Sequence, residues 1–325
     1  MLKRPLATAI ALSALSLSAT AAAETLTLYT SQPQSDAQQT VDAFMEAHPE
    51  IEVEWVRDGT TRLMTRLRSE LSAGVSNPDV LLIADSMTME SLKRDGHLQA
   101  YESAEREAFE PETFDPQGYY YGTKLITTGI VYNTGAEARP TRWQDLLEPE
   151  YEGLVTMPSP LYSGAALIHM AAITENPELA EDYYERLRDN RVEAQSGNGG
   201  VFNAVAAGTK AYGIVVDFLP IREAAKGSPV EFVFPEEGVS AVTEPVAIME
   251  GAQNVDAARK FVDFVLSQAG QELVSRQGYL PARGGVAAPE GFPERESIEL
   301  MPVDINQALD QEEALKARFS ELFGG

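Results

Sequence analysis

Apolar and polar positions switch between two periods along this chain, and the switches outline alternating strands and helices. Residues 25–29 (Thr-Leu-Thr-Leu-Tyr) alternate as a half-buried strand; beyond Thr30-Ser31-Gln32-Pro33, the spacing of Val41, Phe44 and Met45 predicts a helix over 35–47. Alternation returns at 51–56. A second helix then opens at Asp58-Gly59-Thr60-Thr61 and carries Leu63, Met64, Leu67 and Leu71 on one face. Asn77-Pro78-Asp79 turns the chain into the apolar run 80–83, which reads as a buried strand, and another helix follows Ala84-Asp85-Ser86. The helical pattern lapses at 111. Residues 118–122 and 124–133 read as extended chain long enough to cross from one domain to another. A second α/β run follows: a short helix at 143–147, a strand at 154–157, a helix toward Ile173, an acidic helix over 178–189, a helix opened by Gly197-Asn198-Gly199-Gly200, a strand at 212–216 and a helix over 218–225. Residues 232–235 form a further strand and 242–249 a return crossing. Helices over 255–267, 269–277 and 306–322 complete the chain, with the turn Gly278-Tyr279-Leu280-Pro281 between the second and third.

This order predicts an α/β protein of two lobes, the second inserted into the first: 24–122 and 241–325 form the first lobe and 123–240 the second. Two crossings make a hinge. Three strands of the first lobe end in polar turns, at Thr30-Ser31, at 58–61 and at Asp85-Ser86. In open α/β sheets the ligand crevice lies outside the carboxyl ends of the strands, so these turns line one wall of a cleft.

The N-terminus adds a location. Lys3 and Arg4 precede a small apolar run from Leu6 to Ala19, and Ala21-Ala22-Ala23 offers a cleavage site, so residues 1–23 read as a secretory signal peptide. The run is short for a membrane span, and an exported, periplasmic monomer is expected. The sequence has no cysteine, which excludes disulfides, thiolate metal sites and a cysteine nucleophile. A net charge of −25 over 325 residues repels nucleic acid and anionic membrane. His48, His97 and His169 have no second histidine at metal-ligand spacing and read as structural. No Gly-x-Ser-x-Gly elbow, His-Glu-x-x-His or Ser-His-Asp set appears, so an exported hydrolase using paired carboxylates is the rival from the enzyme class and no cofactor is expected.

The most informative stretch is Pro158-Ser159-Pro160-Leu161-Tyr162-Ser163-Gly164-Ala165-Ala166, the end of a strand leading into the first turn of a helix. Ser163 is a natural N-cap. Gly164 and Ala165 leave the unpaired N–H groups of that turn open to an approaching anion, which the helix dipole also favours. Capping and anion binding both remain open.

Read together, Leu28-Tyr29-Thr30-Ser31, Leu67-Arg68-Ser69-Glu70, Pro78-Asp79-Val80, Trp143-Gln144-Asp145-Leu146-Leu147, Tyr162-Ser163-Gly164-Ala165, Tyr212-Gly213-Ile214-Val215, Pro235-Glu236-Glu237-Gly238 and Gly278-Tyr279-Leu280-Pro281 resemble the periplasmic substrate-binding proteins of ABC importers. The resemblance is to the branch of ferric-iron, 2-aminoethylphosphonate and phosphorylated-sugar binders and spans nearly the whole mature chain. It implies a type II periplasmic binding protein fold that closes on a small solute and delivers it to an inner-membrane permease. In the ferric members an anion sits on a Ser-Gly-Ala turn beside a tyrosine pair that takes the metal. Here the turn is Ser163-Gly164-Ala165, whereas Asp217-Phe218 stands where the pair would follow the Tyr-Gly-Ile-Val-Val strand. Tyr183-Tyr184 lies in an acidic helix and reads as packing. That departure favours a phosphonate on the turn, with a carboxylate holding an organic ammonium; 2-aminoethylphosphonate is the named expectation, and ferric iron, phosphate or a sugar phosphate are the alternatives. Asp217 leads for the carboxylate, with a helix cap as its other reading, and Glu244 and Asp85 follow. Ser31, Thr60, Thr61 and Asn198 are candidate donors to the anion.

Overall fold

The computed structural model describes residues 24–75, 78–179 and 182–324; the signal peptide expected over 1–23, Asn77 of the predicted turn and Glu181 of the acidic helix lie outside them. In the first lobe β1 (Glu24–Thr30), β2 (Ile51–Arg57) and β3 (Val80–Leu82) run parallel in the order β2-β1-β3, and α1 (Gln34–Ala47), α2 (Thr60–Ser72) and α3 (Ser86–Arg94) leave their carboxyl ends. Two short strands, β4 (Leu98–Gln99) and β5 (Tyr121–Gly122), complete the outgoing half. The chain crosses on β6 (Lys124–Asn133), the centre of a second sheet. Around it lie β7 (Val155–Pro158), β8 (Glu193–Gln195), β9 (Tyr212–Val216) and β10 (Val230–Val233) in the order β10-β6-β9-β7-β8, and β11 (Ser240–Val242) pairs with the earlier half of β6. The helices between these strands are α4 (Gly164–Glu175), α5 (Tyr183–Asp189), α6 (Asn198–Ala206) and α7 (Phe218–Ala225). Strand β12 (Pro245–Met249) returns to the first sheet antiparallel to β3 and pairs with β4 and β5. Helices α8 (Val255–Leu266) and α9 (Gln268–Arg276), β13 (Leu280–Pro281) against the start of β6, and α10 (Ile305–Phe323) follow.

The two periods dictate the packing. Leu26 and Leu28 are buried on one face of β1, where α1 and α8 close over them with Phe44 and Phe261 edge to face at 5.0 Å. Helix α4 is apolar all round and buried from Gly164 to Ile173, as a helix enclosed on every side must be. Tyr183 and Tyr184 are core residues, their rings 5.9 Å apart. His169 bonds through Nδ1 to Ser240 Oγ (3.0 Å) and lies 4.6 Å from the Trp143 ring.

Residues 242–249 make the return crossing as the ends of two strands with a break at Thr243-Glu244, where Glu244 has φ 37°: β11 belongs to the second sheet and β12 to the first. Thr123 spans this break, its N–H donating to Thr243 O (3.0 Å) and its hydroxyl to Glu244 O (2.8 Å). Gly122 is needed beside it, because a Cβ there would lie 2.7 Å from both Thr113 O and Thr243 Cβ. The C-terminal helix, expected in the first lobe, buries Ala308, Leu315, Phe319 and Leu322 in the core of the second, with Phe319 edge to face on Tyr184. Its polar side reaches back to α3, where Arg94 donates to Asp310 Oδ1 (2.7 Å) and Asn306 Oδ1 (2.5 Å).

Candidate functional site

The carboxyl ends of the parallel strands of both sheets meet across a cleft of about 340 Å³. From the first lobe it is lined by Ser31, Arg57, Gly59, Thr60 and Arg62. The second lobe contributes Tyr162, Ser163, Gly164, Ala165, Gly197 and Asn198, and Glu244 and Tyr279 come from the hinge side. Three helices start here: α2 after Gly59, α4 after Ser163 and α6 after Gly197. None carries an acidic residue in its first turn, and α2 and α6 have no side-chain cap. Each N-terminus presents unpaired N–H groups and about half a positive charge, so three such ends give the cleft a local positive potential inside an acidic protein.

Ser163 caps α4 and also lines the cleft. Its Oγ accepts from Ala166 N (3.3 Å), the bond of an N-cap, and from Asn198 Nδ2 (3.3 Å), which leaves the hydroxyl proton as a donor. Asn198 is fixed by accepting from Val216 N at Oδ1 (3.2 Å), so the start of α6 is tied to that of α4. Ser31 Oγ accepts from Ala84 N (2.8 Å) and holds the ends of β1 and β3 together at the cleft wall.

Several sequence candidates lie elsewhere. Asp217 is buried and faces inward: Oδ2 accepts from Thr127 N (2.9 Å) and Thr127 Oγ1 (2.7 Å), and Oδ1 from Phe218 N (2.6 Å). The pairing of β9 with β6 dictates this direction, and burial pushes the Asp217 carboxyl up to about 7 against these hydrogen bonds. The ammonium role expected of Asp217 is therefore corrected, and the cap reading is the one the structure carries. Asp85 is likewise spent, with Oδ1 accepting from Thr88 N (3.2 Å) and Oδ2 from Thr88 Oγ1 (2.6 Å), and burial raises its pKa. With Thr61 it lines a separate cavity of about 200 Å³ between α2, α3, α4 and α10. Glu244 does line the cleft, but Lys124 Nζ lies 2.5 Å from its Oε2 and Gln32 Nε2 donates to the same oxygen (3.1 Å).

The periodicity gave no hint of Arg57 and Arg62. Arg57 ends β2 at its carboxyl end and donates from Nε to Gln32 O (2.7 Å); Arg62 pairs with Asp58 (2.6 Å). A signal was available: a cation in the first turn of a helix opposes the dipole, and Arg62 stands there in a chain with twice as many acids as bases. Tyr162 is 46% exposed at the rim, and Phe218 is among the apolar residues that also line the cleft.

Two α/β lobes joined by hinge strands around a cleft of strand ends and helix N-termini define a type II periplasmic binding protein fold. The chain belongs to the family of bacterial extracellular solute-binding proteins, whose description matches residues 76–309. An uncharacterized protein of Haemophilus influenzae is 31% identical over 47% of this chain and 45% of its own length, so the match spans about half of that relative. Iron uptake protein A1 of Synechocystis is 24% identical over 73% of this chain and 70% of that one. The fold is shared with the periplasmic binding protein AfuA of Actinobacillus pleuropneumoniae, solved with fructose-6-phosphate bound: TM-score 0.84 and 22% identity, covering 92% of this chain and 98% of that one. No helix among the described residues is long and apolar enough to cross a membrane.

Proposed function

We propose that this protein is the periplasmic solute receptor of an ABC importer and carries a small organic anion with a phosphonate or phosphate head group to its permease. The observation that carries the reading is the meeting of three acid-free helix N-termini with Arg57 at one cleft. A tetrahedral dianion accepts several convergent N–H donors at once and is matched by a guanidinium. The sugar phosphate bound by AfuA supports this class of ligand. 2-Aminoethylphosphonate is left without its expected partner, because Asp217 is turned to Thr127 and the charge of Glu244 is balanced by Lys124. A second reading, ferric iron, is favoured by the likeness to Iron uptake protein A1 and by the exposed phenol of Tyr162. Against it, Phe218 supplies no oxygen donor, and Glu244 already carries its counter-charge.

The test is titration calorimetry of the mature chain, refolded to strip bound ligand, against inorganic phosphate, methylphosphonate, 2-aminoethylphosphonate, glucose 6-phosphate and ferric citrate. Tight binding of a phosphoryl compound is expected. Binding of ferric citrate alone, with a visible charge-transfer band, refutes the phosphoryl reading and establishes the second.

A further inference from the structure

Resting on the phosphoryl reading above, we infer that Glu244 is the cleft's second recognition point, an acceptor that reads an uncharged hydroxyl on the organic part of the ligand and discriminates against an ammonium. Glu244 is 2% exposed yet lines the cleft. Both contacts of its carboxylate fall on Oε2, at 2.5 Å from Lys124 Nζ and 3.1 Å from Gln32 Nε2, and among the described residues no hydrogen bond reaches Oε1. One oxygen of a buried carboxylate is thus left to the cleft. An acceptor held in that position needs a donor from whatever fills the site.

Lys124 decides which donor. Its side chain is fully buried, 4.1 Å from the centre of the Tyr279 ring, and has Glu244 as its ion-pair partner. The pair is neutral, so an incoming ammonium meets no net attraction from it. That ammonium would give up its hydration beside a buried lysine, Arg57 and three positive helix ends. A hydroxyl gives up far less and supplies the one proton that Oε1 lacks. The backbone also singles out this residue: φ 37° is left-handed for a glutamate and is held by the Thr123 hydroxyl on its carbonyl. Such strain persists where the surrounding structure over-determines a position, and it clusters at binding sites.

The test titrates the stripped mature chain with n-alkyl-, ω-hydroxyalkyl- and ω-aminoalkyl-phosphonates of matched length, from ethyl upward. At one chain length the hydroxyl compound should bind about tenfold or more tighter than the alkyl compound, with the amine the weaker of the two donors. In the double variant Glu244→Leu/Lys124→Met, which removes both charges together, the hydroxyl advantage should vanish. The inference is overturned if the amine binds tightest, if no chain length shows a hydroxyl advantage, or if the advantage survives in the double variant. Alkylphosphonates that bind without a hydroxyl advantage sink this inference alone. Failure of alkylphosphonates and inorganic phosphate alike removes the phosphoryl reading and this one with it. The wild-type series is decisive even if the double variant does not fold.

Discussion

Gly164→Ala tests a close contact between the two lobes at the edge of the cleft. Gly164 is the first residue of α4 in the second lobe, and a Cβ built there lies 2.8 Å from Asp85 Oδ2, 2.9 Å from Asp85 Cβ and 3.0 Å from Asp85 Cγ, in the first lobe. Asp85 has little freedom to move, since it is 5% exposed and bonded twice to Thr88. An added methyl that a packed site cannot absorb costs about 1–3 kcal/mol. The prediction is that hinge opening separates the two residues, so that this cost falls on the closed arrangement alone. Ligand affinity should therefore drop about 5- to 150-fold, while the thermal unfolding midpoint of the ligand-free protein stays unchanged. The assay is calorimetric Kd for whichever phosphoryl compound binds wild type most tightly. Adding Asp85→Gly clears all three close atoms and keeps an acceptable N-cap for α3 at a cost of only a few tenths of a kcal/mol, so it should restore most of the affinity. Wild-type affinity in Gly164→Ala, or no recovery with Asp85→Gly, refutes the wedge.

Three further outcomes follow from the site and the core. Ser163→Ala removes the acceptor of Ala166 N and Asn198 Nδ2; it should lower stability by about 1 kcal/mol and weaken phosphoryl ligands by about 1.5–3 kcal/mol, and unchanged calorimetric affinity would return Ser163 to a pure cap. Asp217→Asn replaces the acceptor of the Thr127 N–H and should lower urea stability by about 1–3 kcal/mol; it leaves the ratio of methylphosphonate to 2-aminoethylphosphonate affinity as in wild type, and selective loss of the amine would restore the ammonium role. His169 gives a pH dependence of definite sign. Burial pulls its pKa down to about 3, below the ordinary 6.5 of the unfolded chain, so between these values the unfolded state binds a proton that the fold refuses. Stability therefore falls as pH drops below about 6.5, by about 1.4 kcal/mol per unit from this group. In urea titrations from pH 7 to 4.5, the wild type should lose stability relative to His169→Leu by that slope, and parallel profiles would mean that His169 takes up its proton in the fold as readily as in the unfolded chain.

Much of the architecture was legible because strands and helices are encoded locally. The alternation in 25–29 and 51–56, the leucine stripe of α2 and the Ser163-Gly164-Ala165 turn each specify an element from a few adjacent residues, and strand ends followed by helices imply a cleft wall. The sequence by itself thus pointed to two α/β lobes, to crossings at 124–133 and 242–249, and to Ser163 at the end of a strand; the break at Thr243-Glu244 came from the structure. Tertiary structure decided the rest, because the deciding contacts are distant in sequence. Whether Asp217 faces ligand or core depends on Thr127, 90 residues away, through the pairing of β9 with β6. Whether Glu244 offers a charge depends on Lys124, which the hinge places against it. The side to which α10 belongs depends on an apolar face matching α4 and α5 in the second lobe. The proposed anion site is nobody's local property: each helix start read alone is only a cap, and it is the sheets that bring three of them to one cleft, where their N–H groups and dipoles converge.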